Sequence, residues 1–227
     1  MPRRTVILLL GLALLAGGAC TSPPQGPTPA SPQEVAATVV PPTSPAAPSP
    51  APPAASAKMR LSDASGHTLW VVKLKEAGVK YKLYDAQDRE VAVIKIKDGK
   101  IKVKDAQDRE ILKVKGKPDG AEIEDPAGGR LFRIKTSGAT VKVEDGSGAR
   151  VYTIRLAGQG CDLEDASGRL VVRVSPQGEG LSFQDSQGRP LYQLQGLSQA
   201  RAGVWLVAER LTPPARAAVL VFYLEGL

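Results

Sequence analysis

Side chains able to do chemistry are few in this chain, and most of them recur on a fixed period. Aspartates stand at Asp63, Asp85, Asp105, Asp125, Asp145, Asp165 and Asp185, spaced by 22 residues once and by 20 thereafter. Three residues after each comes Gly66, Asp88, Asp108, Gly128, Gly148, Gly168 or Gly188. Carboxylates so placed invite a calcium reading, above all Asp85, Asp88 and Glu90, or Asp105, Asp108 and Glu110. Calcium wants about six to eight oxygens at close range, and D-A-Q-D-R-E lacks the D-x-D-x-D-G order of a calcium loop. A turn role already explains the aspartate. At the first position of a type I turn its carboxylate accepts backbone N–H bonds, and Gly at the fourth supplies the positive φ that closes a hairpin with a bulge. Asp88 and Asp108 replace Gly because Asp tolerates the left-handed region better than most residues.

The remaining reactive types offer little. His67 is the only histidine; it follows the Gly66 turn and reads as a solvent-facing turn residue. No G-x-S-x-G elbow gives it a nucleophile. Cys161 shares its register with Val141 and reads as a small buried hydrophobe. No Cys/His cluster has metal-ligand spacing, and no Gly-rich loop is built to cradle phosphate. The expectation is a non-catalytic chain with no metal and no cofactor.

The elements that carry these aspartates repeat with them. Four residues before each stand Met59, Tyr81, Ile101, Ala121, Val141, Cys161 and Leu181; two before stand Leu61, Leu83, Val103, Ile123, Val143, Leu163 and Phe183. The residue between is usually charged, as Lys82, Lys102, Glu122 and Lys142 are. Period-two alternation marks a strand with one buried and one wet face. A return strand is expected to begin six residues after each Asp, at Leu69, Val91, Ile111, Leu131, Val151, Val171 and Leu191. Nine after come Val72, Ile94, Val114, Ile134, Ile154, Val174 and Leu194. Glycines at 78, 99, 120, 138, 158, 160 and 180 mark the links where the chain reverses again. The fold class is therefore all-β with a C-terminal helix: about seven hairpins in an antiparallel meander of about fourteen strands. One hairpin is marginal alone, and closure removes the exposed edges of so wide a sheet. A barrel or strongly curved sheet is the expected architecture.

Charge is uneven along the meander. Residues 58–117 hold sixteen Lys and Arg against nine Asp and Glu, whereas residues 118–227 hold twelve against thirteen. Lys80, Lys82, Lys95, Lys97, Lys100, Lys102, Lys104, Lys113 and Lys115 alternate with apolar residues, which puts them on the outward face of neighbouring strands. Two readings follow. The lysines keep a solvated face from pairing edge to edge, or they form a docking surface for an anionic envelope polymer or lipid headgroups. Nucleic acid is not expected, since the chain reads as exported and stacking aromatics are few.

Residues 1–19 read as a secretory signal: Arg3 and Arg4, an apolar run over Val6–Leu15, then the small residues 16–19. Cys20 follows directly. That arrangement resembles a bacterial lipoprotein signal, with Gly17 where the pattern prefers Leu. The resemblance implies cleavage before Cys20, a lipid on its sulfur, and a place in the cell envelope at the outer membrane or on the periplasmic face of a membrane. An ordinary secretory signal cut nearby is the alternative. Residues 20–57 carry 12 of the chain's 19 prolines with Ala, Ser and Thr, and read as a linker with too little apolar surface to fold. In polyproline form it reaches on the order of 100 Å.

Residues 58–196 then form the repeat domain and 197–227 a hydrophobic helical end. Val204-Trp205-Leu206-Val207 reads as a last strand or as part of a helix beginning near Ser198. Thr212-Pro213-Pro214 marks a helix start, with Thr as N-cap. The helix from Ala215 to Leu224 is apolar on nearly every side and must be buried, inside or plugging the sheet. Such hairpins followed by L-T-P-P-A-R-A-A-V-L-V-F-Y-L resemble the tubby C-terminal and phospholipid scramblase-like superfamily. The resemblance implies a twelve-stranded barrel around a C-terminal helix and binding of membrane lipid, with calcium in some members. Function is thus expected to be that of a lipid-anchored envelope binding or structural module. A lipid-handling protein with an acyl chain in its barrel is the alternative.

Overall fold

The computed structural model describes residues 58–227, so the segments read as a signal and a linker, and Cys20 between them, lie outside the described residues. Fourteen strands follow in order: β1 Lys58–Asp63, β2 Thr68–Glu76, β3 Lys80–Tyr84, β4 Glu90–Lys97, β5 Lys100–Asp105, β6 Glu110–Lys117, β7 Gly120–Glu124, β8 Arg130–Ser137, β9 Thr140–Asp145, β10 Arg150–Ala157, β11 Gly160–Asp165, β12 Leu170–Gln177, β13 Gly180–Gln184 and β14 Pro190–Gln195. Each pairs antiparallel with its sequence neighbour. β1 also pairs with β14, through Arg60–Gln195 and Leu61–Leu194 among others, so the meander closes into a barrel. The tubby-like resemblance implies twelve strands; two more are present here.

The aspartate turns are built as the repeat requires. At Asp165 the backbone N–H donates to the Arg169 carbonyl, and the Asp165 carbonyl accepts from Gly168 N–H at 3.0 Å. Its Oδ1 accepts from the N–H groups of Ser167 and Arg169 and from the Ser167 hydroxyl. The residue three after Asp is left-handed in every copy, including Asp88 at φ 56° and Asp108 at φ 62°. Between hairpins, Asp98 and Gly99 both take positive φ, the signature of a two-residue type I′ turn.

The left-handed residue has a consequence that reverses one expectation. It inserts a bulge at the start of the return strand, seen as the register shift between Arg150 and Tyr152 against β9. The return strands therefore begin five residues after the Asp, not six. Val151 and its equivalents fall outside the core; Leu131 is 38 % exposed. Tyr152, seven after the Asp, faces Val143 inside in its place, while Ile154, nine after, faces Val141 inside. A one-residue slip exchanges the two faces of a strand.

The C-terminal segment fills the lumen. A single helical turn, α1 (Ala200–Gly203), runs into a 3₁₀ turn at Val204–Val207, and α2 covers Pro213–Leu224. The strand reading of Val204–Val207 fails for a topological reason: β14 is already paired on both sides, so no free edge remains. α2 lies against β3, β4, β5 and β6, while α1 lies against β11 and β12 on the other side. Ala217, Ala218, Val219, Leu220 and Val221 have no exposed surface. Thr212 stands at the N-cap but its side chain makes no capping bond. Capping matters less there, because Pro213 and Pro214 lack two of the N–H groups that a helix start leaves unpaired. Arg216, the one charge on α2, donates to the carbonyls of Leu211 and Leu206, which ties the preceding loop to the helix. Tyr81 on β3 donates to Glu225 just after α2, and Tyr152 on β10 accepts from Arg210 N–H, pinning the segment near both ends. Among the described residues no helix is long and apolar enough to cross a membrane.

Candidate functional site

The lysine face occupies β3 to β6, and the barrel sets its members side by side. Lys80 faces Lys95, Lys95 faces Lys102, and Lys102 faces Lys113, so one row of lysines crosses four strands. A second row joins Lys97, Lys100 and Lys115. Inward neighbours such as Ile94, Ile101 and Val103 are fully buried, which fixes the lysines outward. Like charges directly across a ladder are unfavourable. The face thus holds a local excess of charge that the fold itself does not call for.

Not all nine lysines are available. Lys82 is held by Glu90 at 2.5 Å, Lys104 by Asp108 at 2.8 Å and Lys115 by Glu124 at 2.6 Å. Lys113 and Lys102 share Glu110, at 3.1 and 3.3 Å. Shielding from water raises the Glu110 carboxyl, but hydrogen bonds from Lys113 and Lys102 outweigh it and leave it below the ordinary range. The hydrogen bond to Glu90 raises the Lys82 ammonium above its ordinary value. Lys80, Lys95, Lys97 and Lys100 differ from these. None makes a hydrogen bond or ion pair among the described residues. They form a compact quartet, with Lys80–Lys95 and Lys97–Lys100 facing pairwise. The nine-lysine surface read from the sequence narrows to these four.

The sequence-level calcium candidates resolve into turn chemistry. Asp85 Oδ1 accepts from Gln87 and Arg89 N–H, and its Oδ2 from Arg89 Nε at 2.8 Å. Asp88 pairs with Lys73 at 2.9 Å. Among the described residues, no group of three or more His, Cys, Asp or Glu could hold a metal ion. His67 is exposed, with Nδ1 3.3 Å from Asp63 Oδ2. Cys161 is buried in the Val141 register, its Sγ donates to the Ala200 carbonyl, and burial pushes its thiol up to about 12. A thiol so raised is a poor nucleophile.

Sequence reasoning missed a second group of residues at the barrel mouth where the inter-hairpin turns gather. Trp205 and Tyr223 stack with centroids 5.5 Å apart, Phe222 meets Tyr223 edge-on, and the Arg201 guanidinium lies 4.8 Å over the Tyr223 ring. No linear signal joins them, since α1, the 3₁₀ turn and α2 meet only once the lumen is filled.

No protein-family model and no curated protein matches the chain. Among solved structures, a protein of Arabidopsis thaliana is similar at 15% identity and a TM-score of 0.34, covering 52% of this chain and 88% of that one. Alternansucrase in complex with isomaltononaose matches at 15% identity and a TM-score of 0.17, over 56% of this chain and 12% of that one. Overlaps this low carry no argument about the chain.

Proposed function

We propose that this protein is a non-catalytic binding module of the cell envelope. It is anchored by lipid on Cys20 and docks through its lysine face on an anionic partner, an envelope polymer or lipid headgroups. The observation that supports this reading is the quartet Lys80, Lys95, Lys97 and Lys100, four cations on adjacent strands that make no ion pair or hydrogen bond among the described residues. Lysines serving only to keep a face solvated would work as well when paired, as Lys82 and Lys104 are. Gathered unpaired charge instead raises the local potential and attracts polyanions through a field that salt screens. The alternative of an acyl chain in the barrel is the weaker reading, because a lipid there would have to displace α2.

The test is binding of dextran sulfate to the chain carrying Cys20→Ser, at low and high salt. Binding should weaken steeply with salt, and the fourfold Lys→Gln variant at 80, 95, 97 and 100 should lose roughly tenfold or more in affinity. Equal binding by that variant sinks the docking reading. The anchor is tested separately: Cys20→Ser should move the chain from the membrane fraction to the soluble one.

A further inference from the structure

The mouth near Tyr223 carries features that packing alone does not explain. The Trp205 Nε1–H and the Tyr223 hydroxyl are both buried without a hydrogen-bond partner. A buried donor with no acceptor is costly and calls for an explanation. Arg201 is exposed and has neither ion pair nor hydrogen bond among the described residues; its one contact of note is the Tyr223 ring. Beside these groups lies an open cleft of about 560 Å³ whose lining includes Lys117, Pro118, Arg201, Phe222, Tyr223 and Leu227. One wall is thus cationic and the other apolar or aromatic. Asp119, also at the cleft, is engaged by Arg133 at 3.2 Å, and Lys117 by Glu122 at 2.8 Å, so Arg201 is the cation left uncommitted there.

We propose that this cleft binds a single-chain organic anion, its acidic head on the Arg201 guanidinium and its apolar part along Phe222, Pro118 and Leu227. A planar guanidinium held against a ring presents its outer N–H groups to a carboxylate or phosphate. The apolar wall then adds affinity that a bare ion cannot gain. None of the four unpaired lysines lines this cleft, which lies in the mouth at the end of α2, and the proposal does not depend on the docking reading.

The experiment titrates the ¹⁵N-labelled chain carrying Cys20→Ser with octyl phosphate below its micelle concentration, with octanol, and with inorganic phosphate. Trp70→Phe assigns the Trp205 indole signal, since the chain has two tryptophans. Octyl phosphate should shift that signal saturably, and the other two ligands should not. Arg201→Gln should weaken octyl phosphate binding by about tenfold or more, while the Lys97→Gln, Lys100→Gln double variant should bind as the parent does. No saturable shift, equal affinity in Arg201→Gln, or an equal response to octanol or inorganic phosphate would overturn the site. Loss of binding in the double lysine variant would assign the effect to the sheet face and overturn it too.

Discussion

One position in the repeat shows how differently the inside and outside of this barrel are constrained. Across the hairpin links, the outward residue ten after each Asp faces the outward residue three before the next. That pair reads Lys73–Lys82, Lys95–Lys102, Lys115–Glu122, Lys135–Lys142, Arg155–Asp162 and Ser175–Ser182 around the barrel. One step along the same strands, the inward pair reads Val72–Leu83, Ile94–Val103, Val114–Ile123, Ile134–Val143, Ile154–Leu163 and Val174–Phe183, all buried. The inward pairs share a lumen filled by α2 and the 3₁₀ turn, where a polar replacement would find no partner. Apart from Ser182, which is buried, the outward pairs meet water, where even facing lysines cost little. The lysine face is therefore free to be set by what it meets, not by the fold.

The sharpest way to break that contrast is to place the same charge on each side. Val219→Asp puts an unpaired carboxylate where no surface is exposed and should cost several kcal/mol, on the order of 3–5, which leaves little folded protein. Lys142→Asp, exposed on β9, should change stability by less than about 0.5 kcal/mol. Urea unfolding of the two variants checks this, and equal losses would mean that α2 does not fill the lumen.

Acid should act through the turns that both regions share. Asp63, Asp85, Asp105, Asp145, Asp165 and Asp185 all titrate below their ordinary value of 3.8. For Asp165 the Ser167 hydroxyl and then the Arg169 N–H hold it down to about 2. A carboxyl lower in the folded state than in the unfolded one adds stability above the unfolded value and loses it as pH falls through the folded one. The melting temperature should be flat from neutral pH to near 4 and then drop toward 2. Asp165→Asn should flatten that drop, and an unchanged acid limb in this variant would remove the turn from the account.

The smallest expected effect refines the outer comparison. Asp162→Lys turns the outward Arg155–Asp162 pair on β10 and β11 into a like-charged one, and should cost less than about 1 kcal/mol, less still in salt. A large loss would show that the two faces differ in packing and not only in charge.

Periodicity alone determined the repeat, the Asp turn with its left-handed partner, the inward residues before each Asp and the need to bury Ala215–Leu224. These follow from interactions between near neighbours along the chain, which leave a local signature. The bulge put the residue seven after each Asp inward in place of the one six after, while those nine after stayed buried, because it depends on the pairing geometry of two strands. Closure through β1 and β14 joined residues 60 and 195, and only then did Val204–Val207 lose any strand to pair with and turn inward as helix. The lysine face was legible as nine alternating residues. Which four stay unpaired was decided by carboxylates that cross-strand register and turn geometry bring within reach, such as Glu90 to Lys82 and Glu124 to Lys115. The Arg201 mouth was not legible at all. Its parts come from separate elements that meet only because a closed ring of strands leaves one place for the chain's apolar end.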